Sequence, residues 1–291
     1  MKYGIIMTVH NKPKQLKRLC KSLVNDNAYF FIHVDKKSDL NVFKEALKEL
    51  PRVKLISTNK VYWADISQVD ATIDLLKEAV EAKMDYVFFI SGQDYLIKKD
   101  NNLLKYVDIN KNYMEYFELP NYNWGSDGRC NRYRFYHNIV NYTGIIKFNP
   151  RNRCYKFINR CLLKVQKILQ IKRQFIKKLK PYSGANWFNI NLECAKYILE
   201  NYKYIYKYFK FVQFPDEMFI QTIVLNSDLK DKTVNDTLRY VDWYTGPEQP
   251  RTLTYEDYDK IIKSDAIFCR KVDEKKDKKI FNLLDKYRSS K

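Results

Sequence analysis

The stretch KYGIIMTVH, residues 2–10, is a nearly continuous apolar run that ends in polar residues. Runs of the same kind recur in AYFFIHVD (28–35), VKLIS (53–57) and DYVFFIS (85–91). Strands that are apolar on both faces are typical of a parallel sheet that helices cover on both sides. These four runs therefore predict such a sheet in the first third of the chain.

Helical segments separate these predicted strands. The segments PKQLKRLCKSLV (13–24), DLNVFKEALKEL (39–50) and SQVDATIDLLKEAVEA (67–82) carry apolar residues at the spacing of one helix face. The alternation of strands and helices predicts an α/β fold with a Rossmann-like, mostly parallel sheet over residues 1–120. In such sheets ligands bind in the crevice at the carboxyl ends of the strands.

Polar side chains are concentrated where these strands end, at the edge where a ligand is expected. The first strand is followed neither by G-x-G-x-x-G nor by a Walker motif, so dinucleotide and ATP sites are disfavoured. The polar residues are His10 and Asn11 after the first strand, His33 and Asp35 after the second, and Ser91, Gln93 and Asp94 after the fourth.

The second half of the chain mixes short strands and helices. Its patterns predict a strand in GANWFNI (184–190) and a helix in NLECAKYILENY (191–202). Further helices are predicted in PDEMFIQTIVL (215–225) and TYEDYDKIIKS (254–264), and a strand in DAIFCRK (265–271). We find no internal repeat and no clear linker, so one continuous domain is expected.

Composition indicates a folded protein with a strong positive charge. The 291 residues are 45% hydrophobic and carry a formal net charge of +19. No run of about 18 apolar residues is present, and the N-terminus lacks the pattern of a signal peptide, so a cytoplasmic protein is expected. The six cysteines form no C-x-x-C pair and are predicted to be reduced core residues rather than zinc ligands or disulfides.

The positive charge is concentrated in one segment. No acidic residue lies between Asp127 and Glu193, and residues 151–180 combine eleven Lys or Arg residues with an apolar stripe at helical spacing. This pattern predicts a basic amphipathic helix. Two interpretations stay open, a solvated helix packed on the domain and an interfacial helix on anionic lipid. Nucleic acid is disfavoured as a partner, because the segment matches no nucleic-acid-binding motif.

The stretch FPDEMFIQT (214–222) sets two carboxylates, Asp216 and Glu217, among apolar residues. Burying a carboxylate beside apolar surface is unfavourable. A helix start would explain the pattern, because proline suits the first helical position and acids there face the positive end of the helix dipole. A functional role for Glu217 depends on the rest of the chain.

Five other stretches accompany FPDEMFIQT in a fixed order. Together they resemble the family of core 2 and I-branching β-1,6-N-acetylglucosaminyltransferases and peptide O-xylosyltransferases, glycosyltransferase family 14. The resemblance extends from Tyr3 to about Asp273. The five stretches are IHVDKKS (32–38), YWADISQVDATIDLL (62–76), ISGQDYLIK (90–98), SGANWFNIN (183–191) and IFCRKVD (267–273).

The resemblance implies a GT-A glycosyltransferase fold in a single catalytic domain, residues 1–291. In this division, residues 1–120 form the nucleotide-sugar-binding half, 121–182 a basic helical insertion, and 183–291 the acceptor and catalytic half. The family inverts the anomeric carbon and usually needs no D-x-D metal motif. The D-x-D of this chain, at 257–259, falls in a predicted helix beyond the strand ends, so no metal site and no cofactor are expected.

By resemblance, Glu217 is the catalytic base. Inversion by direct displacement requires a carboxylate that takes the proton of the acceptor hydroxyl, and apolar neighbours are expected to desolvate Glu217 and raise its basicity. Asp216 is expected to cap the helix or to orient Glu217. On the donor side, Asp35 resembles the uridine-binding acid and Val9 and His10 the residues that flank the uracil.

The resemblance also assigns the remaining site residues. Asp94 is expected to orient the donor sugar, while the pair Arg270-Lys271 and Arg251 are expected to neutralise the leaving diphosphate. Glu115 resembles an acceptor-contacting acid, and Trp187 is predicted either to stack on a sugar or to fill the core. Trp63 and Ser67 match a helix start that simple capping would also explain.

The sequence thus predicts an inverting transferase that moves a sugar, expected to be N-acetylglucosamine, from a uridine-diphosphate sugar to a glycan or lipid-linked saccharide. A bacterial surface-saccharide enzyme, peripheral on the inner face of the cell membrane, is the expected setting. The alternative is a non-catalytic membrane or nucleic-acid binding module on the same fold. The joint presence of Glu217, Asp35 and Lys271 disfavours that alternative.

Overall fold

The computed structural model describes residues 1–139, 153–245 and 250–290. The strands are β1 Tyr3–Val9, β2 Ala28–Val34, β3 Val53–Ile56, β4 Tyr86–Ser91, β5 Asp94–Leu96, β6 Asn112–Met114, β7 Phe117–Glu118, β8 Tyr182–Ser183, β9 Phe188–Asn191, β10 Thr233–Val234, β11 Arg239–Val241 and β12 Phe268–Arg270. The helices are α1 Pro13–Leu23, α2 Leu40–Leu47, α3 Ser67–Glu81, α4 Asn131–Arg134, α5 Arg153–Ile168, α6 Leu192–Phe209, α7 Phe219–Val224, α8 Tyr258–Ile262 and α9 Lys278–Ser289.

A seven-stranded sheet in the described part of the chain has the order β10-β6-β9-β4-β1-β2-β3. The four strands predicted from the first third of the chain pair in parallel, β1 with both β2 and β4, and β2 with β3. Strand β9 runs antiparallel to its neighbours β4 and β6. The predicted α/β class with a Rossmann-like, mostly parallel sheet is confirmed, and the arrangement is of the GT-A type.

Helices cover both faces of this sheet, as the doubly apolar strands require. Ile5 and Met7 of β1 pack into one buried cluster with residues of α1, α2 and α9. Ile6, which lies between them, packs into a second cluster with residues of α3, α6 and α7. Successive side chains of a strand point to opposite faces, so a strand buried on both sides reads as a continuous apolar run.

A second, three-stranded sheet has the order β11-β12-β5. Strand β5 follows β4 after a short turn and pairs antiparallel with β12, with Arg270 opposite Asp94. The buried Gln15 ties the two sheets together, because its Nε2 donates to the carbonyls of Gly92 (2.7 Å) and Val272 (3.2 Å). The chain that follows β12 is thereby held at the end of β4.

The basic segment is shorter as a helix than predicted. Helix α5 ends at Ile168, and Gln170 adopts a left-handed φ of 54° that breaks the helical path. The following chain turns back onto the domain, where the N–H of Arg173 donates to Arg134 (2.7 Å) and Phe175 packs against the second cluster. The predicted helix over 151–180 is therefore wrong beyond residue 168. Its first two residues lie outside the described ranges.

Two of the cysteines also differ from expectation. Cys20, Cys130, Cys194 and Cys269 are buried, as predicted, whereas Cys154 and Cys161 are exposed on α5. Helix α5 presents part of its apolar surface outward, and both cysteines lie on that part. Within the described residues, no helix has the length and apolar character that a membrane crossing requires.

Candidate active site

The predicted uridine-binding residues meet at the ends of β1 and β2. The N–H of Asp35 donates to the carbonyl of Val9 (2.8 Å), and the hydroxyl of Ser38 donates to the carbonyl of His10 (2.7 Å). The carboxylate of Asp35 is nearly buried and accepts from the backbone N–H groups of Lys37 (2.9 Å) and Val61 (3.3 Å). The structure thus brings Val9, His10 and Asp35 together, with Asp35 fixed by two loops.

Asp94 anchors a buried cluster of charges beneath this edge. Its carboxylate accepts from the N–H of Ser91 (2.5 Å) and lies 3.3 Å from Nη1 of Arg270. The guanidinium of Arg239 is 4.0 Å away and fully buried, and burial lowers its pKa to about 10. Because the Asp94 side chain is itself buried, it contacts Arg270 rather than open solvent. Any influence of Asp94 on a donor sugar would pass through Arg270.

Arg270 forms the floor of the site together with Trp187. Its guanidinium carbon lies 4.1 Å from the centre of the Trp187 ring, and Nη1 donates to the Ser91 hydroxyl (2.8 Å). Trp187 also packs against Phe89, with ring centres 5.2 Å apart. Trp187 is therefore partly a core residue, as one of its two interpretations held, and it supports an arginine at the strand ends.

Arg251 and Lys271 differ in their surroundings. The guanidinium of Arg251 is bound by two carboxylates, Asp242 (2.8 Å) and Asp257 (2.6 Å), and the hydrogen bonds that it donates to Asp257 and Asp242 raise its pKa. The charge of Arg251 is thus already compensated, which argues against its predicted role as counter-charge to a diphosphate. Lys271 has a fixed backbone, since its carbonyl accepts from the N–H of Leu253 (2.8 Å).

Glu217 lies on a 3₁₀ turn, Pro215–Glu217, ahead of α7 rather than inside one continuous helix. Its carboxylate oxygen Oε2 accepts from Nη1 of Arg132 (2.5 Å) and lies 3.7 Å from Nη1 of Arg129. The expected apolar desolvation is wrong, because Met218 turns into the core and the Glu217 side chain stays 31% exposed. Two arginines, rather than apolar neighbours, surround this carboxylate.

Glu115 stands beside Glu217 in the same part of the site. Burial raises the pKa of Glu115, and its carboxylate accepts from the N–H of Ala185 (3.0 Å). The N–H of Gly184 donates to the carbonyl of Glu217 (2.9 Å). A Cβ atom on Gly184 would come within 1.9 Å of the Glu115 carbonyl oxygen, so this close approach requires glycine. The segment SGAN thus joins the two acids.

Aromatic side chains line the outer wall next to Glu217. Trp63 is 65% exposed and meets Phe214 edge-to-face with ring centres 4.9 Å apart. The guanidinium of Arg132 lies 4.7 Å from the centre of the Phe214 ring. Exposed aromatic rings beside a charged centre suit the apolar face of a sugar. The backbone N–H of Tyr62 donates to the Ser67 hydroxyl (2.9 Å), which gives Ser67 a loop-fixing role.

Arg129 and Arg132 are the site residues that sequence reasoning missed. Burial and the neighbouring Arg132 lower the pKa of Arg129. Both arginines come from the predicted basic insertion, residues 121–182, where they stand among many other cations. The absence of acidic residues between Asp127 and Glu193 was the signal available in the sequence. Arginines there can form ion pairs only with carboxylates from elsewhere in the chain.

Asp216 is turned away from Glu217 toward α3. Its Oδ2 accepts from Nε2 of Gln68 (3.0 Å), while its Oδ1 is buried without a hydrogen-bond partner among the described residues. Burial, reinforced by Glu217, raises the pKa of Asp216 to about 7. Neither the turn nor α7 has a side-chain cap, so the predicted capping role is wrong.

The raised pKa of Asp216 predicts a pH-dependent stability. The folded state favours the protonated form of Asp216. The stability that this contributes is fully present below the pKa of 3.8 in the unfolded chain, and it is lost as the pH rises through the folded-state pKa of about 7. Asp216→Asn, which mimics the neutral acid, should therefore raise the melting temperature at pH 8 and change it little at pH 4. Thermal unfolding at both pH values measures this, and equal effects at both would contradict it.

The described residues contain no group of three or more His, Cys, Asp and Glu side chains that could bind a metal ion. A groove of about 500 Å³ lies between α3 and α6, with Asp74 and Lys207 in its walls. The chemistry-bearing side chains are those at the strand ends and around Glu217.

A family model described as Core-2/I-Branching enzyme matches residues 5–262. The chain belongs to this family. Among curated relatives, a xylosyltransferase of Ciona intestinalis is 25% identical over 254 residues, which cover 82% of this chain and 26% of that protein. The xylosyltransferase sqv-6 of Caenorhabditis briggsae is 24% identical over 242 residues, which cover 79% of this chain and 27% of that protein.

This member of the Core-2/I-branching family spans about a quarter of the length of the curated relatives that it matches. Among solved structures, 4-diphosphocytidyl-2C-methyl-D-erythritol synthase of Anaerococcus prevotii aligns with a TM-score of 0.36 and 13% identity. That alignment covers 70% of this chain and 75% of the other.

Proposed function

We propose that this chain is an inverting glycosyltransferase that uses a uridine-diphosphate sugar, with Glu217 as general base. The observation that carries the proposal is the segment Gly184–Trp187. Gly184 donates to the Glu217 carbonyl at one end, and Trp187 stacks on Arg270 at the other. Three residue steps span at most about 11 Å, so this short segment joins the candidate base to a cation that could meet the leaving diphosphate.

The ion pair with Arg132 suits Glu217 for this task. Both guanidinium groups approach the same carboxylate oxygen, Oε2. The other oxygen, Oε1, has no hydrogen-bond partner among the described residues and can accept the proton of an acceptor hydroxyl. The oxygen of that hydroxyl then forms the bond to the anomeric carbon on the face opposite the leaving diphosphate, whose bond breaks with the electron pair moving to the phosphate oxygen.

The charge that develops on the diphosphate needs a partner on the donor side. Arg270 and Lys271 would supply it at the end of β12, while Asp35 would hold the uridine. Fixed cations aimed at developing charge are among the larger contributions to catalysis. Asp94 is committed to Arg270 rather than open to a metal ion, which supports metal-independent transfer. The proposed reaction uses no cofactor beyond the donor substrate.

Two versions of this proposal differ in the sugar that is transferred. The sequence resemblance favours N-acetylglucosamine as the donor sugar, whereas the names of two relatives, both xylosyltransferases, favour xylose. We propose N-acetylglucosamine, delivered to a hydroxyl of a glycan or lipid-linked saccharide. A donor-hydrolysis screen over the uridine-diphosphate forms of N-acetylglucosamine, glucose, galactose and xylose decides between them. A preference for the xylose donor would replace N-acetylglucosamine in the proposal and leave the base unchanged.

Binding of UDP tests the proposal against a non-catalytic module on the same fold. A ligand that binds only the folded state stabilises it by about 2.7 kcal/mol at 100 times its Kd. UDP should therefore raise the melting temperature of the protein, and Asp35→Ala should remove this shift. Glu118→Ala, which alters an exposed carboxylate on β7, is the control. A melting temperature that UDP leaves unchanged would favour the module.

We also propose a cellular location for the protein. We infer a peripheral position on the inner face of a cell membrane, where a lipid-linked saccharide is presented. The bacterial setting stays a prediction from the sequence. Nucleic acid is not proposed as a partner.

A further inference from the structure

Helix α5 is divided lengthwise into three sectors. At 100° per residue, Tyr155, Ile158, Leu162 and Gln166 fall on one side, and this side faces the domain, with Tyr155 and Gln166 buried. The two other sectors face outward. One of them is basic and the other is apolar.

Hydrogen bonds fix the rotation of α5 about its axis. The hydroxyl of Tyr155 donates to Oδ1 of Asn138 (3.1 Å). Gln166 pairs with the backbone of Tyr136 twice, since Oε1 accepts from its N–H (2.8 Å) and Nε2 donates to its carbonyl (3.0 Å). These contacts lie at both ends of the helix, so the outward sectors keep their direction.

The apolar sector is exposed to solvent along the whole helix. Phe157 is 67% exposed and Ile168 is 78% exposed, with Val165 and the exposed Cys154 and Cys161 on the same side. Exposed Leu169 and Ile171 continue this surface past the helix end. Contiguous exposed apolar surface on a soluble chain marks a site of interaction. The adjacent basic sector contains Arg153, Lys156, Arg160, Lys164 and Lys167.

We propose that α5 docks this protein on an anionic membrane surface, with the apolar sector inserted among the lipid headgroups. An apolar stripe flanked by cations is the pattern of helices that lie in the bilayer interface. The anionic surface supplies the opposite charge that the segment itself lacks, since no acid occurs between Asp127 and Glu193. A second copy would bring like-charged sectors together, which disfavours self-association through the same face.

Docking by α5 would bring the mouth of the site close to the membrane. Asn138, which holds Tyr155 of α5, also donates through Nδ2 to the carbonyl of Ala64 (2.9 Å), next to the exposed Trp63. The membrane contact itself is independent of the transfer reaction. The consequence that the acceptor is lipid-linked rests on the proposed function.

Co-sedimentation of the full chain with vesicles tests the docking. The protein should bind vesicles that contain phosphatidylglycerol, bind pure phosphatidylcholine weakly, and lose binding as salt rises. The double variant Phe157→Ser/Ile168→Ser should weaken binding to the anionic vesicles by about tenfold or more, because it removes two inserted apolar side chains. Tyr204→Ser, on an equally exposed aromatic residue of α6, is the matched control.

Each other outcome contradicts the docking. Equal binding to neutral and anionic vesicles, or binding that salt leaves unchanged, would remove the electrostatic basis. The protein could instead fail to bind vesicles and form a dimer, detected by light scattering, that the double variant cannot form. That result would assign the surface to contact with a second copy of the chain. The UDP-induced melting shift is recorded for every variant. A retained shift with lost vesicle binding separates failure of docking from failure of the proposed chemistry.

Discussion

Glu217→Gln is expected to lower sugar transfer by about 10²–10⁴-fold, the usual contribution of a general base. The amide keeps the size of the carboxylate and can still accept a hydrogen bond from Arg132, but it cannot take the proton of the acceptor hydroxyl. Binding of UDP should change little, because a general base would act on the acceptor hydroxyl and its contacts are with Arg132 and Arg129. Steady-state transfer assays, with UDP binding measured in parallel, check both expectations.

Two variants make the Glu217 experiment specific. Glu115→Gln alters the neighbouring acid, and an acceptor-contacting role predicts a raised KM for the acceptor with a smaller effect on kcat. Arg132→Lys keeps the charge beside Glu217 but loses the fixed guanidinium geometry, so it should lower kcat less than Glu217→Gln does. Turnover of Glu217→Gln above about a tenth of the wild type would exclude Glu217 as the base by the same scale.

The sheet could be predicted because each of its parallel strands can be recognised from a short stretch of sequence. Each of the four parallel strands is a short apolar run, helical segments separate one run from the next, and a run buried on both faces is visible in the sequence alone. Strand β9 was also predicted, but its antiparallel direction was not. That direction depends on how the chain returns from the far side of the sheet, which no local pattern encodes.

The charges around the candidate base could not be predicted for the same reason. Arg132 and Glu217 are 85 positions apart, and nothing in the sequence near Arg132 distinguishes it from the other cations of its segment. The pairing of Asp94 with Arg270 spans 176 positions and depends on the register of β5 and β12. Strand-end residues could be named one by one, whereas their partners required the fold.

The sequence pattern gave a wrong prediction for the basic segment, where one helix carries two outward-facing surfaces. The apolar stripe of residues 151–180 was regular, so periodicity predicted one long helix. The structure gives α5 as a shorter helix and folds Phe175 and Leu179 onto the domain instead. Periodicity reports which residues share a face, and it does not report whether that face meets the core or the surroundings.

Lys271→Ala is expected to weaken UDP binding by about 10- to 100-fold, as the loss of a charge-assisted hydrogen bond implies, and to leave uridine binding unchanged. The backbone that follows β12 is held by two hydrogen bonds, from the Leu253 N–H to the Lys271 carbonyl (2.8 Å) and from the Val272 N–H to the Gln93 carbonyl (2.9 Å), so the substitution should not disturb the fold. Lys260→Ala, on an exposed lysine of α8, is the control for a change of net charge. Titration calorimetry with both ligands measures the difference.

Transfer should also survive excess EDTA, because Arg270 and Lys271 would take the place of a metal ion at the diphosphate. Arg270→Ala is the less suitable variant, since it would leave Asp94 buried with only the more distant Arg239. Arg270→Lys keeps the charge and loses the stacking on Trp187, and should reduce transfer while the protein stays folded. Activity that EDTA abolishes and manganese restores would show that a cation, held by Asp94 or Asp35, balances the leaving diphosphate instead.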